Sequence, residues 1–221
     1  MFGKIKDINT LKRLSAFLIS GGLLINLTGC FTPGLTGRLA ESLPVALHPQ
    51  QTANWCWAAS GQMVMAYLGH NVPQCTQANN RFYRSDCCNL ALCPYPAAPT
   101  YDSSGNCVGC ACGGWPEFDK YGFTFNKTLG VALSWDQLKQ QLSDCRKKPI
   151  AFSWGWVGGG GHMMVAKGYR TLDKINYVEI FDPWAPCSGD ARIITYDFYN
   201  AAAADHTHWN DYYNVTYAGG R

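Results

Sequence analysis

Apolar residues recur at helical spacing in the first half of this chain and give way to short β-rich runs in the second. That segregation limits the fold more than any other feature. Residues 56–68 read CWAASGQMVMAYL, apolar on successive turns and closed by Gly69. Residues 74–83 have the character of a second helix. Residues 115–121 and 134–147 predict two more, with Ser134 as N-cap and Leu138 and Leu142 one turn apart. Pro149–Val157, His162–Arg170, Lys174–Phe181, Ala191–Tyr199 and Tyr212–Tyr217 are short and rich in Val, Ile, Tyr and Phe. Gly, Asp or Pro bound them, and they predict strands. Helices first and strands afterwards predict an α+β fold with a helical lobe and a β-rich lobe.

The N-terminal residues stand apart from that pattern. A basic stretch, Lys4 to Arg13, precedes the apolar run Leu14 to Leu27, which Gly21, Gly22 and Asn26 interrupt. The run is too short and too broken for a spanning helix. It ends in Leu27-Thr28-Gly29-Cys30, which resembles the lipobox of bacterial lipoproteins. The resemblance implies a signal peptide over 1–29, acylated Cys30, a Pro/Gly-containing tether over 30–48 and an exported domain over 49–221 held at the cell envelope by its lipid. The leader carries four of the 18 Lys and Arg and one of the 15 Asp and Glu, so the formal charge of +3 resides there. The remainder is neutral, which removes the electrostatic footprint of a nucleic-acid binder.

Export also accounts for the cysteines. Of the 11, Cys30 and Cys56 aside, nine remain: Cys75, Cys87, Cys88, Cys93, Cys107, Cys110, Cys112, Cys145 and Cys187. Crowding between 87 and 112, among Pro and Gly, predicts a disulfide-stapled loop. An odd number leaves one thiol over. A zinc site at Cys107-x-x-Cys110-x-Cys112 is the rival reading, though no second ligand pair follows.

Cys56 opens the first strong helix. A helix N-terminus favours thiolate, the nucleophilic form. His162 follows the glycine run Gly158–Gly161 and opens a strand. Phe181-Asp182-Pro183-Trp184 ends the next one, where hairpin geometry returns it beside His162. A nucleophile needs a base, and a base needs an orienting group. The segment Gln50-Gln51-Thr52-Ala53-Asn54-Trp55-Cys56-Trp57-Ala58-Ala59-Ser60, with the His162 and Asp182 motifs, resembles papain-like cysteine peptidases.

That resemblance implies a papain-like fold with the cleft between the helical and β-rich lobes. Cys56 would be the nucleophile, His162 the base and Asp182 its orienting group. Gln50, with the Cys56 backbone N–H, would hold the oxyanion, and Trp184 would cover the His162–Asp182 bond. Cys112-Gly113-Gly114-Trp115-Pro116 resembles the family's Gly-Gly segment, implying that Gly113 and Gly114 pair with substrate backbone while Trp115 and Pro116 line an apolar pocket. Ala53 stands where plant and lysosomal members carry a cysteine, and Asp182 where many carry Asn. The Cys56-to-His162 interval is shorter than the ~130 residues of plant enzymes. These departures resemble a compact bacterial branch, similar to staphopain-like enzymes and a plant-pathogen effector protease. Residues 31–48 are too few for the family's long inhibitory propeptide.

The reaction implied is peptide hydrolysis through a thioester, on a peptide or protein substrate, without metal or organic cofactor. Amidohydrolase or acyl-transfer chemistry on the same site is the alternative, as is a non-catalytic, disulfide-braced binding lipoprotein. His206-x-His208 reads as a polar surface segment, since no third metal ligand accompanies it.

Overall fold

The computed structural model describes residues 39–90, 93, 97–143, 146–200 and 204–219. The expected signal peptide, Cys30 and Cys145 lie outside the described residues. Helices and one large antiparallel sheet make the chain α+β. Strand β1 (Ala40–Ser42) comes first, followed by helices α1 (Cys56–Tyr67) and α2 (Gln74–Phe82). A small hairpin of β2 (Thr100–Tyr101) and β3 (Cys107–Val108) sits in the cysteine-rich loop, ahead of β4 (Phe123–Lys127) and α3 (Trp135–Leu142). The rest is sheet, apart from one helical turn: β5 (Ile150–Trp156), β6 (Gly161–Leu172), β7 (Ile175–Asp182), β8 (Asp190–Thr195), α4 (Tyr196–Tyr199) and β9 (His206–Tyr217). Spatially the order is β4-β9-β5-β6-β7-β8, with β1 pairing the far half of β6. Among the described residues, no helix is long and apolar enough to cross a membrane.

Local chemistry explains most element boundaries. Ser134 caps α3 by accepting from the Gln137 N–H while Gln137 reaches back to the Ser134 N–H. Leu138 and Leu142 are fully buried, each contributing about 1.5–3 kcal/mol of apolar transfer. The helix stops at Leu142 rather than running to 147, because Ser143 is extended and Lys147 adopts positive φ ahead of Pro149. The helix expected over 115–121 shrinks to a 3₁₀ turn, Phe118–Tyr121, closed by Gly122 at φ 76°. Likewise the expected strand 191–199 breaks at Thr195, whose hydroxyl accepts from Phe198 N and starts α4.

Two segments join the sheet unforeseen. The tether expected over 30–48 gives way to sheet at Ala40. There β1 pairs with Gly168–Arg170 of β6, and Lys167 and Glu179 hold Ser42 through its hydroxyl. Gly168 permits this, since a Cβ there would stand 2.7 Å from the Glu41 carbonyl. Strand β4 covers β9, which begins at His206 rather than Tyr212.

His206 and His208 are therefore buried, which corrects the expected surface segment. Lying between β4 and β5, β9 turns them toward α4. His206 Nε2 lies 3.0 Å from the Phe198 carbonyl, and the ring stacks on Trp154 at 3.9 Å. His208 bridges the Tyr199 carbonyl and the buried Asp211 carboxylate at 2.9 and 3.0 Å.

Among the described residues, four disulfides close the cysteine-rich region: Cys75–Cys88, Cys87–Cys110, Cys93–Cys187 and Cys107–Cys112. The zinc reading is overturned, because Cys107, Cys110 and Cys112 carry no thiolate to donate. Asp86, Cys87 and Cys110 do cluster within 4.8 Å, but their sulfurs are bonded to each other. Cys56 is free.

Candidate active site

Cys56 is the first residue of α1 and half-buried. Its neighbours explain how a helix with no side-chain cap is held there. Asn54 Nδ2, Trp55 Nε1 and Trp57 Nε1 donate to the carbonyls of Ala111, Cys110 and Cys112, at 3.2, 2.7 and 3.2 Å. Three donors of one short motif thus grip three consecutive carbonyls of the loop that continues into Gly113 and Gly114. Disulfides Cys87–Cys110 and Cys107–Cys112 hold the same loop from its other side. The pattern Asn-Trp-Cys-Trp therefore places two features at once, the thiol and the glycine pair.

Gly114 must be glycine for a packing reason. A Cβ there would meet Arg81 Nε at 2.4 Å and Trp57 at 3.0 Å. Arg81 fills the space beneath, stacked 4.1 Å from the Trp115 ring and paired with Glu117 at 3.4 Å. At Gly113 nothing lies within 4 Å of a Cβ, so its backbone borders open space. Trp115 is exposed at the cavity rim. Pro116, expected beside it, is instead buried against Gly61 of α1.

His162 and Asp182 come together through the register of one hairpin. Strands β6 and β7 are joined by Asp173 and Lys174, both at positive φ (50° and 66°), as a two-residue primed turn requires. That turn pairs Val165 with Phe181, with a bulge between Ala166 and Gly168. The Asp182 carboxylate then reaches the His162 ring, with Nε2 2.6 Å from Oδ1. A one-residue slip would turn Asp182 to the other face.

The remaining lone pairs of Asp182 are also engaged. Oδ1 accepts from Trp184 N at 2.9 Å, and Oδ2 pairs with Arg192 Nη2 at 2.8 Å. Arg192, on β8, also pairs with Asp190 at 3.1 Å. No motif in the sequence marks Arg192, because only the β7–β8 pairing brings it to Asp182. Burial pushes Asp182 upward, but the hydrogen bond and charge of His162, the Trp184 N–H and Arg192 outweigh it and hold the carboxyl below its ordinary value. At His162 burial opposes protonation, yet Asp182 and the adjacent Cys56 sulfur push the pKa up to about 9.

The indole parallel to the His162 ring belongs to Trp156, at 6.4 Å and 17°. Trp184, expected to cover the His162–Asp182 bond, is about half exposed at the rim, and its backbone supplies the contact with Asp182. Gln50 also departs from expectation. It reaches the cavity wall, but Nε2 donates to the carbonyls of Thr52 and Ala53 at 2.8 and 2.6 Å. Its Oε1 is buried without a partner. In this state both amide protons brace the turn ahead of Cys56. The backbone of Gln50 joins the two halves of the site, donating to Pro183 O at 3.1 Å and accepting from Cys187 N at 2.9 Å.

One cavity of about 820 Å³ is lined by Gln50, Cys56, His162 and Asp182, and equally by Gly113, Gly114, Trp115 and Trp184. Of the nine site residues expected within the domain, eight thus share one space, and Pro116 is the exception. Cys30, the expected lipidation site, lies outside the described residues. The model of the Peptidase_C39-like family matches residues 42–217 of this chain. No curated protein matches it.

Proposed function

Because the chain belongs to the Peptidase_C39-like family, a family of cysteine peptidases, we propose that it hydrolyses peptide bonds through Cys56, His162 and Asp182 by way of a thioester. The observation that carries this reading is the 2.6 Å His162–Asp182 bond in the same cavity as a free cysteine at a helix N-terminus. The Cys56 thiolate attacks the carbonyl carbon and forms the S–C bond. The carbonyl electron pair moves to oxygen and is held by the Cys56 N–H at the helix start. As that pair returns, the C–N bond breaks, and the His162 imidazolium gives its proton to the leaving amine. Neutral His162 then takes a proton from water as the water attacks the thioester. The acid departs, and the thiolate–imidazolium pair is restored. Gln50 joins the oxyanion hole only once its amide leaves the Thr52 and Ala53 carbonyls.

Asp182 keeps the His162 ring oriented and its Nδ1 side toward sulfur, and Arg192 keeps Asp182 ionised. The papain-like arrangement of two lobes about the cleft, in its compact bacterial form, is part of the same reading. So is export, with acylated Cys30 anchoring the domain to the cell envelope. An epoxide at slightly acidic pH is expected to label Cys56 alone, and the purified domain to cleave members of a peptide library. Labelling spread over several residues, or none at Cys56, overturns the enzyme reading. Cys30→Ser is expected to leave the protein soluble or unprocessed. Correct cleavage with continued membrane association overturns the anchor.

A further inference from the structure

We propose that Lys127 selects an acidic side chain in the part of the substrate lying between Gly113–Gly114 and the sheet, an inference that rests on the peptidase reading above. Besides the nucleophile Cys56 and the phenol of Tyr212, four charged or titratable side chains line the cavity: Lys127, His162, Asp182 and Arg192. Three of them are committed to one another, since Asp182 holds His162 and Arg192. Lys127 is exposed and, among the described residues, has no carboxylate within ion-pair distance. Its ammonium sits over the Tyr212 ring, 5.0 Å from the centroid. The cavity therefore has one uncompensated charge, and it is positive.

Strand register fixes where that charge lies relative to the chemistry. Met163, next to His162, pairs with Ser153, and Ser153 with Asn210. Two residues along, Ala151 pairs with Tyr212, and Tyr212 with Lys127. Ser153, Asn210, Tyr212 and Lys127 all line the cavity, so a polar path crosses the sheet from the base toward the lysine. Neighbouring strands are about 4.8 Å apart, which puts the ammonium above β9 roughly 10 Å from β6. An extended peptide advances about 3.3 Å per residue, so a side chain within about three residues of the scissile bond reaches it.

The surroundings make the charge count. Tyr212 lays its ring face beneath the ammonium, and farther along the cavity the Trp209 ring covers Gly155 and Gly161 so closely that a Cβ at either would come within 2.4 Å of it. Aromatic faces exclude water and strengthen a nearby ion pair. A carboxylate there completes a pair with Lys127 and has the Ser153 hydroxyl beside it. A basic side chain meets like charge instead.

Peptidyl chloromethyl ketones bearing Glu, Gln or Lys at each of three positions before the reactive group test this without requiring turnover. Rates of Cys56 alkylation are expressed relative to iodoacetamide on the same variant. At one position the wild-type protein is expected to react with the Glu reagent roughly fivefold faster than with Gln, and faster still than with Lys. Added salt is expected to compress the difference. Lys127→Glu should reverse the order, and Lys127→Met should erase the Glu–Gln difference. Reagents within twofold of one another at every position, or a preference that survives Lys127→Glu, overturn the proposal. If no peptidyl reagent outpaces iodoacetamide at all, it is the peptidase reading that fails.

Discussion

The two walls of the cavity are built by different means. The wall carrying Cys56, Gly113 and Gly114 has little regular structure beyond α1. Disulfides and side-chain donors to backbone carbonyls hold it. The wall carrying His162 and Asp182 is continuous sheet, in which a two-residue turn and the ladder of β6, β7 and β8 set every position. Loop geometry has to be secured bond by bond, whereas strand geometry is repeated by each rung. Damage to the first wall should therefore be local and severe, and damage to the second graded.

Cys56→Ser should have the largest effect. Turnover is expected to fall by about 10⁶ with an unchanged melting curve, because the chemistry is lost and the packing kept. Retained hydrolysis in steady-state assays would move the nucleophile off the looped wall altogether.

Gln50→Ala sharpens the contrast within that wall. Loss of an oxyanion donor is expected to cost turnover roughly 10²–10³. Unlike a pure oxyanion residue, Gln50 also braces the turn before Cys56. Its removal is therefore expected to cost about 1–3 kcal/mol of stability as well. Gln51→Ala should change both far less. A Gln50 variant with normal stability and normal turnover would mean that the Cys56 N–H suffices.

Replacing Cys87 and Cys110 together by Ala is expected to cost about 2–4 kcal/mol. Hydrogen exchange should rise at residues 107–116 and the start of α1 while β5, β6 and β7 stay protected. Loosening of both walls at once would show that they do not differ as described.

Arg192→Met probes the sheet wall and should be the mildest. Turnover is expected to fall about tenfold, with Arg192→Lys restoring much of it. Since His162 is held protonated up to about 9, wild-type activity should fall off on the alkaline side near that pH. Without the arginine, the Asp182 carboxylate acts unopposed on His162, so that limb should move upward. The stability contributed by His162 has the same sign. It is whole below the ordinary value of 6.5 and lost as pH rises through about 9, which melting curves across that range should register.

What was legible in the amino-acid order was whatever is encoded locally. The helical period after Cys56, the cap at Ser134, the β-rich runs from Pro149 and the crowding of cysteines all express preferences of short segments. Together they placed an α+β fold and pointed to Cys56, His162 and Asp182 as candidates, with resemblance adding Gln50 and supplying the roles. Tertiary structure alone decided matters that depend on distant partners. Disulfide connectivity rests on which loops meet, and Arg192 matters only because β8 lies beside β7. His206 and His208 look polar in sequence, yet an inner strand buries them, and carbonyls of α4 together with Asp211 bond them. Resemblance to the papain-like family gives the amide of Gln50 an oxyanion task. Its direction depends instead on the nearest acceptors in the folded turn, the carbonyls of Thr52 and Ala53, because a buried donor takes whichever acceptor lies within reach.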